Sequence, residues 1–519
     1  MPTASGLIGL VSPNVPVDVS DMIASMRAIQ QRGHHSWGLA NLDEGIIHSQ
    51  SQSGTLPDQK LKLRPHPLRW VLGHVGYNHT LDPNSIHSKS GLGQPLLVGA
   101  SRGTFAVAFS GRLGHIRLDT PPSEMDDVQR IAAGIANHPS SNWLEAIHGG
   151  ASRCVAAYAI QVLTNDGLYY LRDARGYRPL VMNEIFATFP VTKDGEPSTK
   201  NWKCVMVVSE ESAAIALRVQ IEKRYPDATL TIKQRTIGSG TIGHVRLDGS
   251  WTEWEIKQHR RDSQEGVFIT HAARQRCALE AFHFMRGSGH FDELDLDYFR
   301  EECGGELARA DKNAWHNYGP STTLVVGCPR GGIAAGRGYA ARACLPYTQV
   351  LRATAGVTRK SVTVDHTESQ GINRVIRKRK EHPTLVMNGD VSGKTVILVN
   401  DLVVQSATVK KAVQLLRKAG AVRVHVRIAA PAVQNNCVWG TVLPDVEDLF
   451  SGAGVGAGNA VVSLAHRIGA DTLEYLSPNR FEKLIGKGFC KGCLFRADNS
   501  RSPAASLEVC SVKTPVTSI

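Results

Sequence analysis

The chain has 519 residues, a formal net charge of +12 at pH 7, 42% hydrophobic residues and 20% charged residues. This length allows two or more domains with ample cores, and the composition is that of a soluble globular protein. No apolar run approaches the roughly 20 residues that span a bilayer, and the N-terminus lacks the pattern of a secretory signal. The positive charge favours anionic ligands, without separating phosphate esters from nucleic acid.

Short β-like runs dominate the first 255 or so residues. Helical patterns interrupt them at Val17–Gln31 and Asp126–Ala136. This mixture predicts a layered α/β sandwich. The predicted strands are Leu7–Val11, Ala106–Phe109, Cys154–Leu163, Leu168–Leu171, Cys204–Ser209 and Thr241–Leu247.

Strands and helices alternate in the second half of the chain. The pattern predicts a parallel, doubly wound sheet, in which ligands bind at the carboxyl ends of the strands. From Asp498 onward, frequent Ser, Pro and Thr predict a mobile tail. The predicted elements are the strand Thr323–Gly327, the helix Gly331–Ala343, the strand Val396–Val399, the helix Ala407–Ala419 and the strand Val424–Ile428.

Four of the ten cysteines form a pattern: Cys277, Cys437, and the Cys-x-x-Cys pair of Cys490 and Cys493. Since no secretory signal precedes them, we expect a reducing cytosol, where such a pair indicates a metal or redox site rather than a disulfide. Four thiolates suit a structural Zn²⁺ ion as well as an iron–sulfur cluster. We expect the other cysteines to be small core or surface residues.

The segment Val396–Thr408 reads as a buried strand, a loop and the start of a helix. Such a junction binds phosphate through backbone N–H groups, and a carboxylate at the strand end can hold ribose hydroxyls or hydrated Mg²⁺. The segment resembles the phosphoribosylpyrophosphate (PRPP) motif of phosphoribosyltransferases, in which two acids precede Arg-Gly-Thr-Thr. Asn400 takes the first acid position, Asp401 the second, Gln405–Ala407 replaces Arg-Gly-Thr, and Thr408 remains. An ordinary strand–helix turn is the alternative interpretation.

Flanking segments extend the resemblance to the glutamine PRPP amidotransferase family. Cys277–Gly287 is similar to its Cys-x-x-Glu-x-x-Tyr-Phe-Ala-Arg segment, Arg427–Gly440 to its Arg-Ile-Ala-Ser-Pro-Pro…Cys-Phe-Tyr-Gly segment, and Ile468–Ser477 to a third segment almost letter for letter. The Cys490/Cys493 pair follows in the same order. In the iron–sulfur branch of this family the four cysteines hold a [4Fe–4S] cluster, so the resemblance implies such a cluster here, with Zn²⁺ as the alternative.

The first half resembles the class II glutaminase domain of the same family. Ser5–Leu10 corresponds to Cys-Gly-Ile-Val-Gly-Ile, Met26–Gly38 to a segment containing Leu-Gln-His-Arg-Gly, Gly73–Tyr77 to Gly-His-Val-Arg-Tyr, and Ala108–Leu113 to His-Asn-Gly-Asn-Leu. The resemblance therefore covers nearly the whole chain in the family's order.

The resemblance implies a fold and a domain order. We expect an N-terminal-nucleophile-hydrolase-type αββα sandwich over residues 1–260. A type I phosphoribosyltransferase domain, with its doubly wound parallel sheet and the cysteine site, is expected over residues 261–497. The mobile tail would take residues 498–519.

Departures from the family fall at the glutaminase site. Ser5 replaces the cysteine nucleophile; it is a weaker nucleophile and would still require removal of the four residues before it. Gly76 replaces the arginine that pairs with the α-carboxylate of glutamine. Ser110 replaces the asparagine that stabilises the oxyanion, although Gly111 remains. Together these changes predict an inactive glutaminase site.

The second half keeps basic residues where the family binds pyrophosphate. Val325–Ile333 stands at the pyrophosphate loop, where Arg330 and Gly331 are candidate phosphate contacts. Arg359–Lys360 and the basic run Arg374–Lys380 stand at the family's mobile loop, where cations would neutralise a leaving pyrophosphate. The alternatives for such a run are a solvated helix face or a nucleic-acid contact; without a nucleic-acid-binding fold, we do not expect nucleic acid.

Two functions compete. The first is an enzyme that transfers the pentosyl group of PRPP, or of a related sugar phosphate, to an amine or to ammonia not drawn from glutamine. In it Asp401 would face the ribose hydroxyls, Thr408 the 5′-phosphate, and Arg330 with Arg359 the pyrophosphate, with Mg²⁺ accompanying PRPP. The second is a noncatalytic iron–sulfur paralogue that acts as a scaffold or regulator of an active enzyme. We favour the first, and the resemblance also implies a cytoplasmic homo-oligomer with no membrane contact.

Overall fold

The computed structural model describes residues 5–56, 68–76, 93–116, 125–152, 154–193, 196–256, 275–311, 319–329, 331–353, 385–403, 406–435, 437 and 457–494. These residues divide into two compact units, one ending at Arg276 and the other beginning at Cys277. The predicted boundary at 260 and the predicted tail at 498–519 lie outside the described residues. None of the described helices is long and apolar enough to cross a membrane.

Among the described residues, thirteen strands in two antiparallel sheets form the first unit. They are β1 (Gly6–Val11), β2 (Ser36–Asp43), β3 (Ile46–Ser53), β4 (Trp70–Gly76), β5 (Leu96–Ala100), β6 (Gly103–Ile116), β7 (Cys154–Thr164), β8 (Gly167–Arg172), β9 (Val181–Lys193), β10 (Glu196–Val208), β11 (Thr229–Thr236), β12 (Thr241–Arg246) and β13 (Trp251–Glu255). One sheet has the order β11-β9-β10-β1-β4-β2-β3, and the other has the order β13-β12-β8-β7-β6-β5.

The alternation of side chains along β1 shows how the layers stack. Ile8 and Leu10 lie in the core beneath the helices, whereas Leu7 and Val11 lie in a core shared with the second sheet. Successive side chains of a strand point to opposite faces, so a central strand buried on both faces requires a layer on each side. The helices are α1 (Val19–Ala28), α2 (Asp127–Ala136), α3 (Trp143–Ser152) and α4 (Ser212–Arg224).

Helices α1 and α4 cover the seven-stranded sheet, and α2 and α3 cover the six-stranded sheet. This αββα arrangement confirms the predicted sandwich, and the predicted strands match the observed ones to within a residue at their ends or lie inside them. The predicted helix Val17–Gln31 is too long at both ends. Val17 is in a β-bridge with Leu68, and Ile29 leaves the helical conformation (φ −113°, ψ 12°) before a 3₁₀ turn at Gln30–Arg32.

A four-stranded parallel sheet of order β17-β20-β21-β22 forms the centre of the second unit: β17 (Thr323–Gly327), β20 (Thr395–Asn400), β21 (Arg423–Ile428) and β22 (Thr472–Tyr475). Two-stranded sheets accompany it: β14 (Arg276–Cys277) with β23 (Phe489–Cys490), β15 (His290–Phe291) with β16 (Leu294–Asp295), and β18 (Leu351–Ala353) with β19 (Leu385–Met387). The helices are α5 (Leu296–Ala310), α6 (Gly332–Ala343), α7 (Ala407–Lys418), α8 (Ala457–Ile468) and α9 (Pro478–Ile485).

Both faces of this parallel sheet are buried. Ile397 and Val399 lie in a core with α5, α6 and α9, whereas Val396 and Leu398 lie in a core with α7 and α8. Because each face is covered by helices, the sheet is doubly wound, which confirms the prediction for the second half.

A buried ion pair ties the helices of the second unit to its sheet. Arg427 on β21 donates from Nε to Oδ2 of Asp311, 2.6 Å away, at the end of α5. The Tyr339 hydroxyl on α6 donates to the same oxygen over 2.7 Å, and Nη1 of Arg427 donates to Oγ1 of Thr472 over 2.9 Å. Both charged groups of this pair are buried. Removing Asp311 would leave the guanidinium of Arg427 with only the more distant and half-exposed carboxylate of Glu474, 3.8 Å from Nη2.

We expect Asp311→Ala to lower the free energy of unfolding by about 3–5 kcal/mol, because it leaves the guanidinium of Arg427 buried without its carboxylate. Urea unfolding followed by circular dichroism measures the change. The matched control is Arg337→Ala, which breaks a pair with Glu301 whose side chains are 46% and 38% exposed; it should cost no more than about 1 kcal/mol. An equal loss of unfolding free energy in the two variants would show that the buried pair stabilises the fold no more than the exposed pair does.

Candidate active site

The structure brings Ser5 and Ser110, two predicted glutaminase-site residues, into contact. The Ser110 hydroxyl donates to the main-chain carbonyl of Ser5 over 2.8 Å, and Nε of Arg32 donates to the same oxygen over 3.1 Å. All three residues are buried. A serine hydroxyl carries a single hydrogen, so in this arrangement Ser110 donates to the protein and not to an oxyanion of a substrate.

The cation nearest Ser5 is also paired within the protein. Arg32 lies 2.7 Å from Oε1 of Glu210, and Nε2 of Gln31 donates to both oxygens of that carboxylate at 3.1 and 3.0 Å. Sequence reasoning missed Glu210, because 178 residues separate it from Arg32 and no motif links them. The buried guanidinium is therefore neutralised by a protein carboxylate.

No side chain fits at Gly76, where the family has its carboxylate-binding arginine. A Cβ on Gly76 would overlap the ring of His74, and a Cβ on Gly33 would overlap the backbone of Gly76. The retained Gly111 has φ 153°, and a Cβ there would overlap the carbonyl of Ala157. The described residues of this site thus lack the arginine, and a side chain at Gly76 would require the His74 ring to move.

Burial dominates the electrostatics of His74. Removal of the ring from water lowers its pKa to about 3, while the nearby backbone of Phe109 acts in the opposite sense. The imidazole is therefore neutral at physiological pH.

His74 should make stability fall between pH 7 and pH 5. Below pH 6.5, the ordinary pKa of histidine, the unfolded state binds a proton on His74 and the folded state does not. The contribution of His74 to the free energy of unfolding is therefore complete above pH 6.5 and is lost as the pH falls towards 3. The wild-type chain should lose about 2 kcal/mol more over this interval than His74→Gln, measured by urea unfolding at both pH values. His48→Gln, which changes an exposed histidine on β3, should respond like the wild type. A loss in His74→Gln as large as in the wild type would contradict this account.

In the second unit, predicted residues meet at the carboxyl end of β20. Asn400 ends the strand, Asp401 follows it, and both are buried. A Cβ on Gly331 would overlap the carboxylate of Asp401, and a Cβ on Gly332 would overlap the carbonyl of Val399, so the loop after β17 lies directly against this strand end. The amide Nδ2 of Asn400 donates to the carbonyl of Leu402 over 2.9 Å.

The remaining predicted ligands lie at the start of α7 or outside the described residues. Thr408 is half-buried in the first turn of α7, whose N-terminal N–H groups carry the partial positive charge that favours phosphate. Arg330, Arg359–Lys360 and Gln405 lie outside the described residues.

Asp401 has a partner that sequence reasoning missed. The ring Nδ1 of His283 lies 2.9 Å from Oδ2 of Asp401, and the two side chains are 12% and 4% exposed. The partners are 118 residues apart in the chain. His283 stands at the tyrosine position of the family-like segment Cys277–Gly287, and that substitution was the only signal of it in the sequence.

The four patterned cysteines interact with one another. Burial raises the pKa of the Cys493 thiol, and the charges of Cys437, Cys277 and Cys490 raise it further. The carbonyl of Cys493 accepts from the backbone N–H of Gln434 over 2.8 Å, which holds the chain next to Cys437. Within the described ranges, no three His, Cys, Asp or Glu side chains are arranged to hold a single metal ion.

Comparison with known proteins agrees with this architecture. Residues 303–437 match the family model of the phosphoribosyl transferase domain. The chain is 25% identical to the amidophosphoribosyltransferase of Synechocystis sp., over 96% of this chain and 91% of that protein. It is 26% identical to the chloroplastic amidophosphoribosyltransferase of Vigna aconitifolia, over 90% of this chain and 86% of that protein. It is 24% identical to the amidophosphoribosyltransferase of Methanocaldococcus jannaschii, over 90% of this chain and 91% of that protein.

Solved structures share the fold. The chain resembles a structure described as the allosteric regulatory enzyme of purine biosynthesis, with a TM-score of 0.69, 22% identity and 96% of each chain covered. It also resembles the glutamine PRPP amidotransferase of B. subtilis complexed with ADP and GMP, with a TM-score of 0.66, 21% identity, and 96% and 97% covered.

Proposed function

Because the chain belongs to the amidophosphoribosyltransferase family, we propose that it transfers a pentosyl group from PRPP, or from a related sugar phosphate, to an amine or to free ammonia. The observation that carries this proposal is the close approach of Gly331 to the carboxylate of Asp401. Backbone that can contact phosphate lies there beside a carboxylate that can accept from hydroxyls, at the strand end where doubly wound sheets bind ligands.

Each part of the ligand has a candidate partner in this arrangement. Asp401 accepts from the ribose hydroxyls, while Thr408 and the N–H groups at the start of α7 bind the 5′-phosphate. For the pyrophosphate, the partners proposed from the sequence are Arg330 and Arg359–Lys360, which lie outside the described residues. In the reaction, the bond from the anomeric carbon to pyrophosphate oxygen breaks and a bond to the acceptor nitrogen forms. Pyrophosphate leaves with its bonding electrons, and the new amine loses a proton to solvent.

The first unit supports a nitrogen source other than glutamine. The Ser110 hydroxyl donates to the carbonyl of Ser5, Arg32 is paired with Glu210, and Gly76 leaves no guanidinium to hold the α-carboxylate of glutamine. Each group that would bind or activate glutamine is therefore replaced or already engaged with the protein.

A second candidate is a noncatalytic relative that acts as a scaffold or regulator of an active enzyme. This candidate is favoured because the side chains at the end of β20 already bond to the protein: Asn400 donates to the carbonyl of Leu402, and Asp401 bonds to His283.

Cytoplasmic location and assembly into homo-oligomers stay predictions.

Cys277, Cys437, Cys490 and Cys493 would hold a [4Fe–4S] cluster, with Zn²⁺ as the alternative. Four interacting thiols in a half-buried to buried site fit such a group, because a metal cation stabilises the thiolates that burial and mutual repulsion disfavour. When bound, the group would supply a cross-link between distant parts of the chain.

The transferase proposal predicts that PRPP with Mg²⁺ binds the anaerobically purified chain in the micromolar range by calorimetry. Asp401→Asn should weaken binding about tenfold or more, because it removes the negative charge and replaces one of the two oxygens that accept from the ribose hydroxyls with an amide donor. Asp390→Asn, an exposed change in the same unit, should leave binding unchanged.

Pyrophosphate release should then follow addition of ammonia or a suitable amine, and glutamine should not replace them. No binding of PRPP by the wild-type chain would contradict the transferase proposal and favour the scaffold. Release of pyrophosphate driven by glutamine would contradict only the proposed loss of glutaminase activity, and the transferase proposal would stand.

The cysteine proposal predicts about four iron and four sulfide per anaerobically purified chain, with a broad visible absorbance band. Cys493→Ser should lose most of the iron, because it removes one of the four ligands. The control Cys344→Ser changes an exposed cysteine of the same unit and should retain the iron. One zinc per chain and no iron would favour the alternative metal, and a wild-type chain without either metal would contradict the site.

A further inference from the structure

The contact between His283 and Asp401 lies at the proposed ligand site and has a defined polarity. An ionised carboxylate can only accept hydrogen bonds, so Nδ1 of His283 carries the hydrogen of the 2.9 Å bond to Oδ2. Both side chains are largely buried, so the bond is shielded from competing water. It therefore restricts the rotation of the Asp401 side chain.

The backbone that carries His283 is held independently of Asp401. His283 belongs to a π-helical turn, Glu280–Phe284, a rare conformation that occurs frequently at functional sites. Nη2 of the buried Arg300, on α5, donates to the carbonyls of Ala281 and Met285 at 2.7 and 2.8 Å. The turn is thus fixed on both sides of His283, and the imidazole is presented from a rigid element.

The opposite side of the carboxylate is also defined. Gly331 approaches it so closely that any side chain there would overlap it, and the amide of Asn400 fixes the loop through the carbonyl of Leu402. Asp401 therefore lies between the His283 ring and the loop after β17. Since Asn400 replaces one of the motif's two acids, the single remaining carboxylate must be oriented correctly.

We propose that His283 is a positioning residue for pentose recognition, which orients the Asp401 carboxylate towards the hydroxyls of a ribose 5-phosphate moiety. This inference rests on the proposed function of the same site. An ionised carboxylate has about four acceptor positions, so the bond to His283 is compatible with further hydrogen bonds to two adjacent hydroxyls. The histidine acts on the sugar, through Asp401, and not on the pyrophosphate.

Two substitutions separate positioning from packing. His283→Phe keeps an aromatic ring but removes the donor, whereas His283→Asn keeps an N–H donor close to the position of Nδ1. His290→Phe is the matched control, because His290 is an exposed histidine of the same unit. Circular dichroism and thermal unfolding establish that each variant is folded before use.

The experiment is calorimetric titration of ribose 5-phosphate, PRPP and inorganic pyrophosphate, each with Mg²⁺, into the wild-type chain and the variants. We expect His283→Phe to weaken the binding of ribose 5-phosphate and of PRPP about tenfold to a hundredfold. The dissociation constant of pyrophosphate should stay within about twofold of the wild-type value. His283→Asn should recover most of the affinity for ribose 5-phosphate, and His290→Phe should bind all three ligands like the wild type.

The outcomes distinguish this inference from the proposed function. If the wild-type chain binds neither ribose 5-phosphate nor PRPP, the proposed function is wrong and the role of His283 is wrong with it. If the wild type binds them and His283→Phe binds them equally well, only the role of His283 is wrong. A parallel loss of all three ligands, or no recovery in His283→Asn, would assign His283 a structural role and overturn the inference.

Discussion

Burial of the carboxyl end of β20 is the constraint on which the candidate site depends. A polar group removed from water must find a partner, because an unsatisfied one costs about as much as the hydrogen bond it lacks. Here the amide of Asn400 bonds to the carbonyl of Leu402, and the carboxylate of Asp401 bonds to His283. A ligand must therefore join a network that is already satisfied, so its affinity depends on how many acceptor positions that network leaves.

The same constraint operates in the first unit. Arg32, Glu210 and Ser110 surround the start of β1, all buried, and each has a partner within the protein. In an enzyme site, strong donors are oriented towards the place where charge develops in the reaction. Here Arg32 and Ser110 donate to the main-chain carbonyl of Ser5, and Arg32 also pairs with the carboxylate of Glu210, which is the pattern of a structural core. In both units, the buried polar groups at these positions are engaged within the protein.

The fold was predictable because local patterns determine it, while the site depends on distant partners. Alternation of buried faces along β1 and β20 marks both as central strands, and the alternation of strands and helices after residue 320 predicts a parallel sheet. The pair of His283 and Asp401 spans 118 residues, and neither residue alone indicates the other. The placement of the His74 ring against Gly76 was equally hidden, because only the folded structure shows that this ring occupies the space next to Gly76. Helix α1 is shorter than its hydrophobic period predicts, since Val17 forms a β-bridge instead.

The pairing of β14 with β23 joins the first residues of the second unit to its last strand. Cys277 is synthesised more than two hundred residues before Cys490 and Cys493, and closing so long a segment has an entropic cost that grows with its length. Domains fold as their residues become available during synthesis, so the parallel sheet can form before the cysteine group is complete. Cys490 and Cys493 join Cys277 and Cys437 only after β23 has been synthesised, so any metal that the four thiols hold together is acquired after the parallel sheet has had time to form.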